Sequence, residues 1–386
     1  MDFLQMLKAN IKEILQIHDI KIKFPENLTD IEITDIYQKY VDNVKKYLLN
    51  IVHKERIGYF SDNSQKKSIY AYAYWIMTAK LIGMELDEKV FRILKENICG
   101  CQMEDGLCWD ESIVNLQYLN GDGWGARHFM PHYFIAIERL GIKARYSLKY
   151  VTPFYKNDIL KKLLDELDWT HPWQSSNVVM NIGVSLFYER ERFQNKEAGK
   201  AVKVLQKWLM SHIRADCGMW GEGNLKSKSF KYALVRGAYH MYSFLIYDNI
   251  DIPFKEKAID LILGCQNKYG GYDFQANSSA CEDIDAIESL IRLSLLTPKY
   301  RHVEIRNSIS NSLQWVIQNQ LDDGGCVFRL GQFFDYGSIN MTSNKNESNL
   351  FATWFRTLSV CYMYDFLSNN IREYIDLPGY KYPLFR

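Results

Sequence analysis

The stretch Cys281–Glu288 carries four acidic residues, Glu282, Asp283, Asp285 and Glu288. Neighbouring carboxylates raise one another's proton affinity, so one of them can stay protonated and serve as a general acid. An aspartate beyond the first turn of a buried helix also needs a specific reason to be there. The stretch therefore predicts a catalytic carboxylic acid, and Asp285 is the candidate.

The neighbours of Asp285 also have an ordinary structural interpretation. Ser279 and Glu282 fit a capping box at a helix start. Asp283 in the first turn favours the helix dipole. Glu288 stands four residues before Arg292, a spacing at which opposite charges pair on a helix. Catalysis and helix stabilisation therefore remain alternatives for this stretch.

Histidines mark other helix starts. His128 and His132 flank Pro131, a residue that suits the first turn of a helix. His240 lies one turn after Arg236. Because histidine exchanges a proton near neutral pH, we expect at least one of these side chains to contact a substrate. His128 and His240 are the catalytic candidates.

Other polar and aromatic residues are predicted to line the same site. Arginine suits carboxylates and phosphates, while tryptophan and tyrosine rings stabilise cations or stack on sugars. The predicted substrate-binding residues are Arg127, His132, His171, Trp173, Asn177, Tyr232, Arg236, Glu282, Trp354 and Arg356.

A repeat brings these scattered residues together. A turn with an aromatic residue, usually beside glycine, recurs about every 50 residues, and such a period indicates a repeat architecture. The turns lie at 58–60, 105–109, 168–173, 217–220, 270–274 and 323–328. Each turn separates two segments whose apolar residues recur at helical spacing, so each repeat is predicted to be a helix hairpin.

The two helices of each hairpin differ in composition. The first helices are predicted near 36–53, 87–101, 157–168, 196–213, 254–266 and 303–319, and their many charges indicate one solvent-facing side. The second helices are predicted near 67–83, 130–141, 177–190, 230–248, 282–296 and 348–368, and are apolar enough to be buried.

The pattern predicts an all-α fold, a single α/α toroid, or (α/α)6 barrel, of six helix hairpins. One domain is expected over 1–386, with an N-terminal amphipathic helix and lead-in at 1–35, repeats over 36–368 and a tail at 369–386. In a toroid the repeat turns and the starts of the inner helices meet at one mouth. The candidate site residues should therefore gather there.

The segments 263–274 and 316–328 resemble the repeat of the terpenoid cyclases and of the protein prenyltransferase β subunits. In that repeat the outer helix ends in Gln, followed by glycines and an aromatic residue. Asp283-Ile284-Asp285 is similar to part of the Asp-x-Asp-Asp motif of class II terpene cyclases, although Ala286 replaces the last Asp. The resemblance implies that Asp285 is the proton donor and Asp283 its partner.

Three functions follow from these patterns. The first is acid-initiated chemistry on an isoprenoid or isoprenyl diphosphate, with Asp285 as general acid in the central cavity. The second is a carbohydrate-active toroid, a lyase, epimerase or hydrolase acting on an acidic saccharide in polysaccharide biosynthesis or modification. The third is a binding toroid without catalysis. No cofactor is expected, and zinc or magnesium is the alternative.

Composition narrows the setting. With 47 basic and 46 acidic residues the formal charge is +1, which argues against a nucleic-acid partner. The eight cysteines are expected to be reduced thiols. We expect a cytoplasmic protein without a membrane span, and a peripheral membrane contact through the first helix is the alternative. The oligomeric state is left open.

Overall fold

The computed structural model describes residues 23–114 and 125–369, which are mostly helical. The helices are, in chain order, α1 (Asp30–His53), α2 (Ile69–Leu81), α3 (Glu88–Gly100), α4 (Glu111–Val114), α5 (Ala126–Arg139), α6 (Asn157–Glu166), α7 (Pro172–Arg192), α8 (Lys196–His212), α9 (Lys228–Ile246), α10 (Lys255–Leu263), α11 (Ala280–Leu296), α12 (His302–Ile317) and α13 (Leu350–Leu367). A 3-10 helix spans Lys149–Tyr155.

Six of these helices form an inner ring. Helix α2 packs on α5, and the contacts continue through α7, α9, α11 and α13 before α13 returns to α2. The ring is therefore closed, and α5 lies opposite α11. Nearly every residue of α13, and Ile69–Ala79 of α2, is buried, because inner helices are covered on all sides.

The other long helices, α1, α3, α6, α8, α10 and α12, form the outer layer. Each buries one stripe and exposes the rest, as on α3, where Val90, Leu94 and Ile98 are buried at helical spacing. Polar first helices outside and apolar second helices inside are the arrangement that the sequence predicts.

A glutamine two or three residues after the end of an outer helix holds the repeat turn in three hairpins. The side-chain amides of Gln102, Gln266 and Gln320 donate to the carbonyls of Gly106, Gly270 and Gly324, at 3.1, 3.0 and 3.0 Å. Each amide also donates to a backbone carbonyl of the next repeat, those of Tyr146, Ser308 and Tyr40. One side chain thus fixes the turn and joins neighbouring hairpins.

Several helix starts differ from the prediction. Helix α7 begins at Pro172 rather than near 177, and α5 at Ala126 rather than near 130. Helix α1 begins at Asp30, where Thr29 and Glu32 form a capping box. Proline at a first helical position and a capping box both favour an earlier start. The earlier starts place more polar residues on helices at the mouth.

A short β-hairpin lies between α12 and α13, where we expected no strand. Strand β1 (Phe334–Asp335) pairs antiparallel with β2 (Thr342–Ser343). The segment reaches the first repeat, since the hydroxyls of Ser61 and Ser64 donate to the carbonyls of Thr342 and Asn340, at 2.8 and 3.1 Å. This segment carries Tyr336 over the mouth of the ring.

Parts of the predicted layout fall outside the described residues. These are most of the N-terminal lead-in, at 1–22, and the tail from 370 onward. In the ranges 23–114 and 125–369, no helix is both long and apolar enough to cross a bilayer. All eight cysteines lie in these ranges as free thiols.

Candidate active site

The mouth of the inner ring contains a small cavity of about 40 Å³, room for a few water molecules. Five inner helices and the β-hairpin segment contribute to its wall. The described lining residues are His128, His132, Trp173, Asn177, Tyr239, His240, Cys281, Asp285, Tyr336, Phe351 and Phe355. Sequence analysis placed six of these at a site, and the fold brings them together.

His128 is fixed by tyrosines on one side of the cavity. Its Nδ1 lies 3.0 Å from the hydroxyl of Tyr70 on α2 and 3.5 Å from that of Tyr336. The Tyr336 hydroxyl is also 3.3 Å from that of Tyr74. Burial lowers the pKa of His128 to about 3, so its ring is neutral at physiological pH.

His132 lies one turn further along α5. Its ring centroid is 5.4 Å from that of His128 and 5.1 Å from that of Tyr74. Burial holds the pKa of His132 well below its ordinary value, and the charge of a protonated His128 would lower it further. The two imidazoles therefore form an uncharged pair among aromatic rings.

Asp285 lies on α11, across the ring from α5. It is 3% exposed, and among the described lining residues it is the only carboxyl group. Cys281 is one turn earlier on the same face, and burial, followed by the nearby Asp285, raises the pKa of its thiol well above the ordinary value. The cavity thus has one carboxyl group on one side and neutral imidazoles on the other.

His240 is held by a contact between neighbouring inner helices. Its Nδ1 is 2.9 Å from the hydroxyl of Ser176 on α7. On α7 itself, the side-chain amide of Asn177 donates to the carbonyl of Trp173, at 2.8 Å. The start of α7 therefore holds Trp173, Asn177 and His240 at the cavity wall.

Asp283 and Arg356 form an ion pair that is completely buried between α11 and α13. Asp283 also accepts from the backbone N–H of Tyr272, from the Ser278 hydroxyl and from Nε1 of Trp315, at 3.0, 2.7 and 2.8 Å. Neither residue is among those that line the cavity. The pair joins helices and the fifth repeat turn, so both residues have a structural explanation.

Glu282 has the capping role that the sequence predicts, together with a second set of contacts. It forms the capping box with Ser279. Arg236 of α9 and Arg329 of the segment after α12 both lie 2.6 Å from its carboxylate. Asp273 lies near the same guanidinium groups, at 3.4 and 3.5 Å. The predicted pair of Glu288 with Arg292 is also present, at 2.8 Å.

The remaining predicted residues lie around the cavity rather than on the described part of its wall. His171 is exposed, with Nδ1 2.8 Å from Asp168. Tyr232 packs edge-on against the exposed Phe274, with centroids 5.7 Å apart. Trp354 is buried beside Phe355, and the Arg127 guanidinium lies 5.9 Å from the ring of Tyr150. A substrate role for these residues stays a prediction.

Sequence reasoning missed part of the cavity. Tyr239 looks like any apolar residue of an inner helix, whereas Phe351 and Phe355 could belong either to the core or to a cavity lining, and they line the cavity. Arg329 gave no signal, because its partners come from other repeats. Across the described ranges, no three His, Cys, Asp or Glu side chains are arranged to hold a metal ion.

No family model matches the chain, and no curated protein is significantly similar in sequence. A variant of an unsaturated glucuronyl hydrolase from Streptococcus agalactiae is similar in structure, with 14% identity, a TM-score of 0.50 and coverage of 89% of this chain and 97% of that one. A polysaccharide lyase is similar at 10% identity and a TM-score of 0.50, covering 87% and 99%. A type II terpene cyclase from Scytonema has 11% identity and a TM-score of 0.46, over 88% and 99%.

The two structures with a TM-score of 0.50 are α/α toroid enzymes. The predicted fold, an all-α toroid of helix hairpins, is therefore confirmed. Since one fold supports many chemistries, and identities are this low, the likeness carries the fold alone. The reaction depends on the side chains in the cavity.

Proposed function

We propose that this protein is an enzyme that starts a reaction of an isoprenoid by protonating a carbon–carbon double bond, with Asp285 as the general acid. The observation that supports this most directly is the composition of the cavity wall. Asp285 is its only carboxyl group among the described residues, and five of the other ten lining residues are Trp, Tyr or Phe. A hydrocarbon substrate needs a proton donor beside apolar surface, and this wall places a carboxyl group among aromatic rings.

In the proposed reaction the carboxyl proton of Asp285 adds to one alkene carbon, and the other alkene carbon becomes a carbocation. A second double bond of the same substrate then attacks that cation and closes a ring. The rings of Trp173, Tyr239 and Phe355 stabilise the positive charge through cation–π contacts. Protonation by an aspartic acid requires neither a metal ion nor an organic cofactor.

The reaction ends when a proton leaves the last cation, and His128 is the proposed acceptor. It lies on α5, opposite the helix of Asp285. A charged imidazole would repel a carbocation, whereas the buried His128 is neutral. If Nδ1–H donates to the Tyr70 oxygen, Nε2 keeps the lone pair that takes the proton. Exchange with solvent then returns a proton to Asp285, so the net reaction is an isomerisation.

The size of the cavity also bears on the mechanism. About 40 Å³ holds a few waters and not an isoprenoid, so the wall has to rearrange when a substrate binds. Tyr336 comes from the β-hairpin segment rather than from a helix. Its movement would therefore enlarge the cavity with less disruption to the ring of helices than the movement of a helix. A closed aromatic wall also keeps water from quenching the cation.

A second candidate is proton abstraction from an acidic saccharide. The favouring observation is the contact between Tyr70 and His128, since a tyrosine and an imidazole at 3.0 Å can act as acid and base. Among the described residues, however, no arginine or lysine lines the cavity itself to bind a sugar carboxylate beside these two groups. We therefore rank this function second.

The experiment is an incubation of the protein in D₂O with farnesol, farnesoate, squalene and geranylgeranyl diphosphate, followed by mass spectrometry. Protonation from Asp285 places one deuterium in a product isomeric with its substrate. Asp285→Asn is expected to lower the rate about 10²- to 10⁴-fold. Asp251→Asn, an exposed aspartate before α10, is the matched control and should leave the rate unchanged.

Two results would contradict the proposal. One is turnover by Asp285→Asn at the wild-type rate. The other is conversion of a uronic-acid oligosaccharide, offered in parallel, to an unsaturated product while every isoprenoid is returned unlabelled. That second result would transfer the function to the saccharide candidate.

A further inference from the structure

Two arginines from different repeats hold two carboxylates with unequal strength beside the cavity. Arg236 and Arg329 each lie 2.6 Å from Glu282. The same guanidinium groups reach Asp273 only at 3.4 and 3.5 Å, which is long for a charge-assisted hydrogen bond. The two arginines therefore hold Glu282 tightly and Asp273 only loosely. Asp273 also accepts from the backbone N–H of Phe274, at 2.7 Å.

The two carboxylates also differ in how readily they become neutral. Burial favours the neutral form of both. At Glu282 it is outweighed by Arg329, Arg236 and the hydrogen bonds from Ser279, so the pKa lies below its ordinary value. At Asp273 burial and the charge of Glu282 raise the pKa to about 6. Once Asp273 is protonated, the two positive groups Arg236 and Arg329 face only the negative charge of Glu282. The cluster can then accommodate one further negative charge.

The cluster adjoins the cavity. The Arg236 guanidinium lies 5.6 Å from the ring centroid of Trp173, which lines the cavity. Nε of Arg236 is buried without a hydrogen-bond partner among the described residues, so this arginine has donor capacity to spare. Glu282 itself directly follows the lining residue Cys281 on α11.

We propose that Arg236 and Arg329 bind a carboxylate group of the substrate in the place that Asp273 loosely fills. The inference rests on the proposed function, and it specifies the substrate as an isoprenoid that carries an acid group. A carboxylate fits because the two guanidinium groups already hold carboxylates in this arrangement. Its single charge balances the second arginine when Asp273 becomes neutral. The substrate is thereby oriented with its chain toward Asp285.

Binding is expected to be linked to protonation of Asp273. The charged groups that face it are Glu282, Arg236 and Arg329. Its other titratable neighbours are Tyr232 and Cys265, whose pKa values are each raised by burial to about 12, so both stay neutral below pH 8. With a pKa near 6 at Asp273, the dissociation constant of a carboxylate should be about 50-fold higher at pH 8 than at pH 6.

The test is calorimetric titration of the full chain with farnesoate at pH 6, 7 and 8, with farnesol as the uncharged analogue. We expect farnesoate to bind more tightly than farnesol at pH 6 and to lose this advantage by pH 8. In Asp273→Asn the affinity for farnesoate should be high and independent of pH. Asp251→Asn removes the same charge from an exposed position and should keep the wild-type pH dependence.

A second variant guards against misfolding of the first. Arg329→Gln should abolish the preference for farnesoate over farnesol at pH 6. Equal affinity of the wild type for both ligands would overturn the proposal, and so would an unchanged pH dependence in Asp273→Asn.

Failure of carboxylate binding can be distinguished from failure of the proposed reaction. Asp285→Asn is expected to bind farnesoate with the wild-type pH dependence, since it leaves the arginines intact. Carboxylate binding without any turnover would contradict only the role of Asp285. A parallel titration with glucuronate distinguishes the source of the carboxylate. If glucuronate binds with the expected pH dependence and farnesoate does not bind, the substrate is not an isoprenoid acid, although Arg236 and Arg329 still bind a carboxylate.

Discussion

The hydroxyl oxygen of Tyr70 lies 3.0 Å from Nδ1 of His128, and this contact joins neighbouring inner helices at the mouth of the ring. The same hydroxyl lies 3.5 Å from the carbonyl of Gly125, directly before α5, and can donate to it. If the tyrosine donates to that carbonyl, it accepts from Nδ1–H of the imidazole, and Nε2 is then the basic nitrogen of His128.

The tautomer and charge of His128 can be measured. Burial lowers its pKa to about 3, so the ring is expected to stay neutral, with the proton on Nδ1, from pH 5 to pH 8. Nitrogen-15 chemical shifts of the imidazole report both properties. Tyr70→Phe removes the acceptor and should weaken the preference for the Nδ1–H tautomer. A His128 resonance that titrates between pH 5 and 8 would contradict this assignment.

The fold could be predicted because the repeats use the same residue types at the same positions of each helix hairpin. Gln266 and Gln320 both lie three residues after the end of an outer helix, and both hold a glycine carbonyl in the following turn. Helical spacing in the sequence then separates outer from inner helices. The β-hairpin could not be predicted, since strands of two residues carry no periodic signal.

The site was less predictable, because a sequence shows residue types and not their partners. Arg356 was expected to bind substrate, yet its partner Asp283 lies 73 positions away and inside the ring wall. Arg329 was not singled out at all, although it meets Glu282 across 47 positions. Such pairings follow from how hairpins close into a ring, which local patterns do not encode.

The glycine of the sixth turn should tolerate no side chain. Gly324 has φ +89°, and a Cβ there would lie 2.0 Å from the backbone carbonyl oxygen of Asn43. Gly324→Ala is expected to lower the free energy of unfolding by about 3 kcal/mol through strain and displacement of α1. Gly83 has φ +67° but nothing within 4 Å, so Gly83→Ala should cost only about 1 kcal/mol.

Urea denaturation followed by circular dichroism measures both glycine variants. Since both positions have positive φ, the difference between them isolates the close approach to the neighbouring repeat. Equal stability losses would mean that α1 shifts easily and that the turn does not lock the hairpins together.

The buried pair of Asp283 and Arg356 should dominate the stability of the fifth repeat. Arg356→Met leaves the carboxylate of Asp283 buried without its main partner, and is expected to cost about 3–5 kcal/mol. Adding Asp283→Asn should recover part of the loss, because no charge then remains buried. Chemical denaturation of the single and double variants measures this coupling.

The exposed pair of Glu88 and Arg92 provides the control for that cycle. Its side chains are 88% and 66% exposed, so breaking it should change stability by less than about 1 kcal/mol. A loss of similar size for Arg356→Met would show that the buried pair contributes no more than a surface pair.

Asp273 should make the fold more stable in mild acid than at neutral pH. Burial and Glu282 raise its pKa from 3.8 to about 6, so the native state holds its proton where the unfolded chain has already lost it. The contribution is therefore full below pH 4 and is lost as the pH rises to about 6. Asp273→Asn removes the buried charge, and should stabilise the fold at pH 8 by up to about 3 kcal/mol relative to its effect at pH 4.

The measurement is the free energy of unfolding of both proteins from pH 4 to pH 8. Subtracting the two curves cancels the other titrating groups and leaves the contribution of Asp273. A difference that does not change between pH 4 and pH 8 would show that the arginines hold Asp273 as firmly as Glu282. In that case a ligand could not displace the carboxylate of Asp273 from the two arginines. The curve therefore also tests, without any ligand present, whether Arg236 and Arg329 can bind a substrate carboxylate.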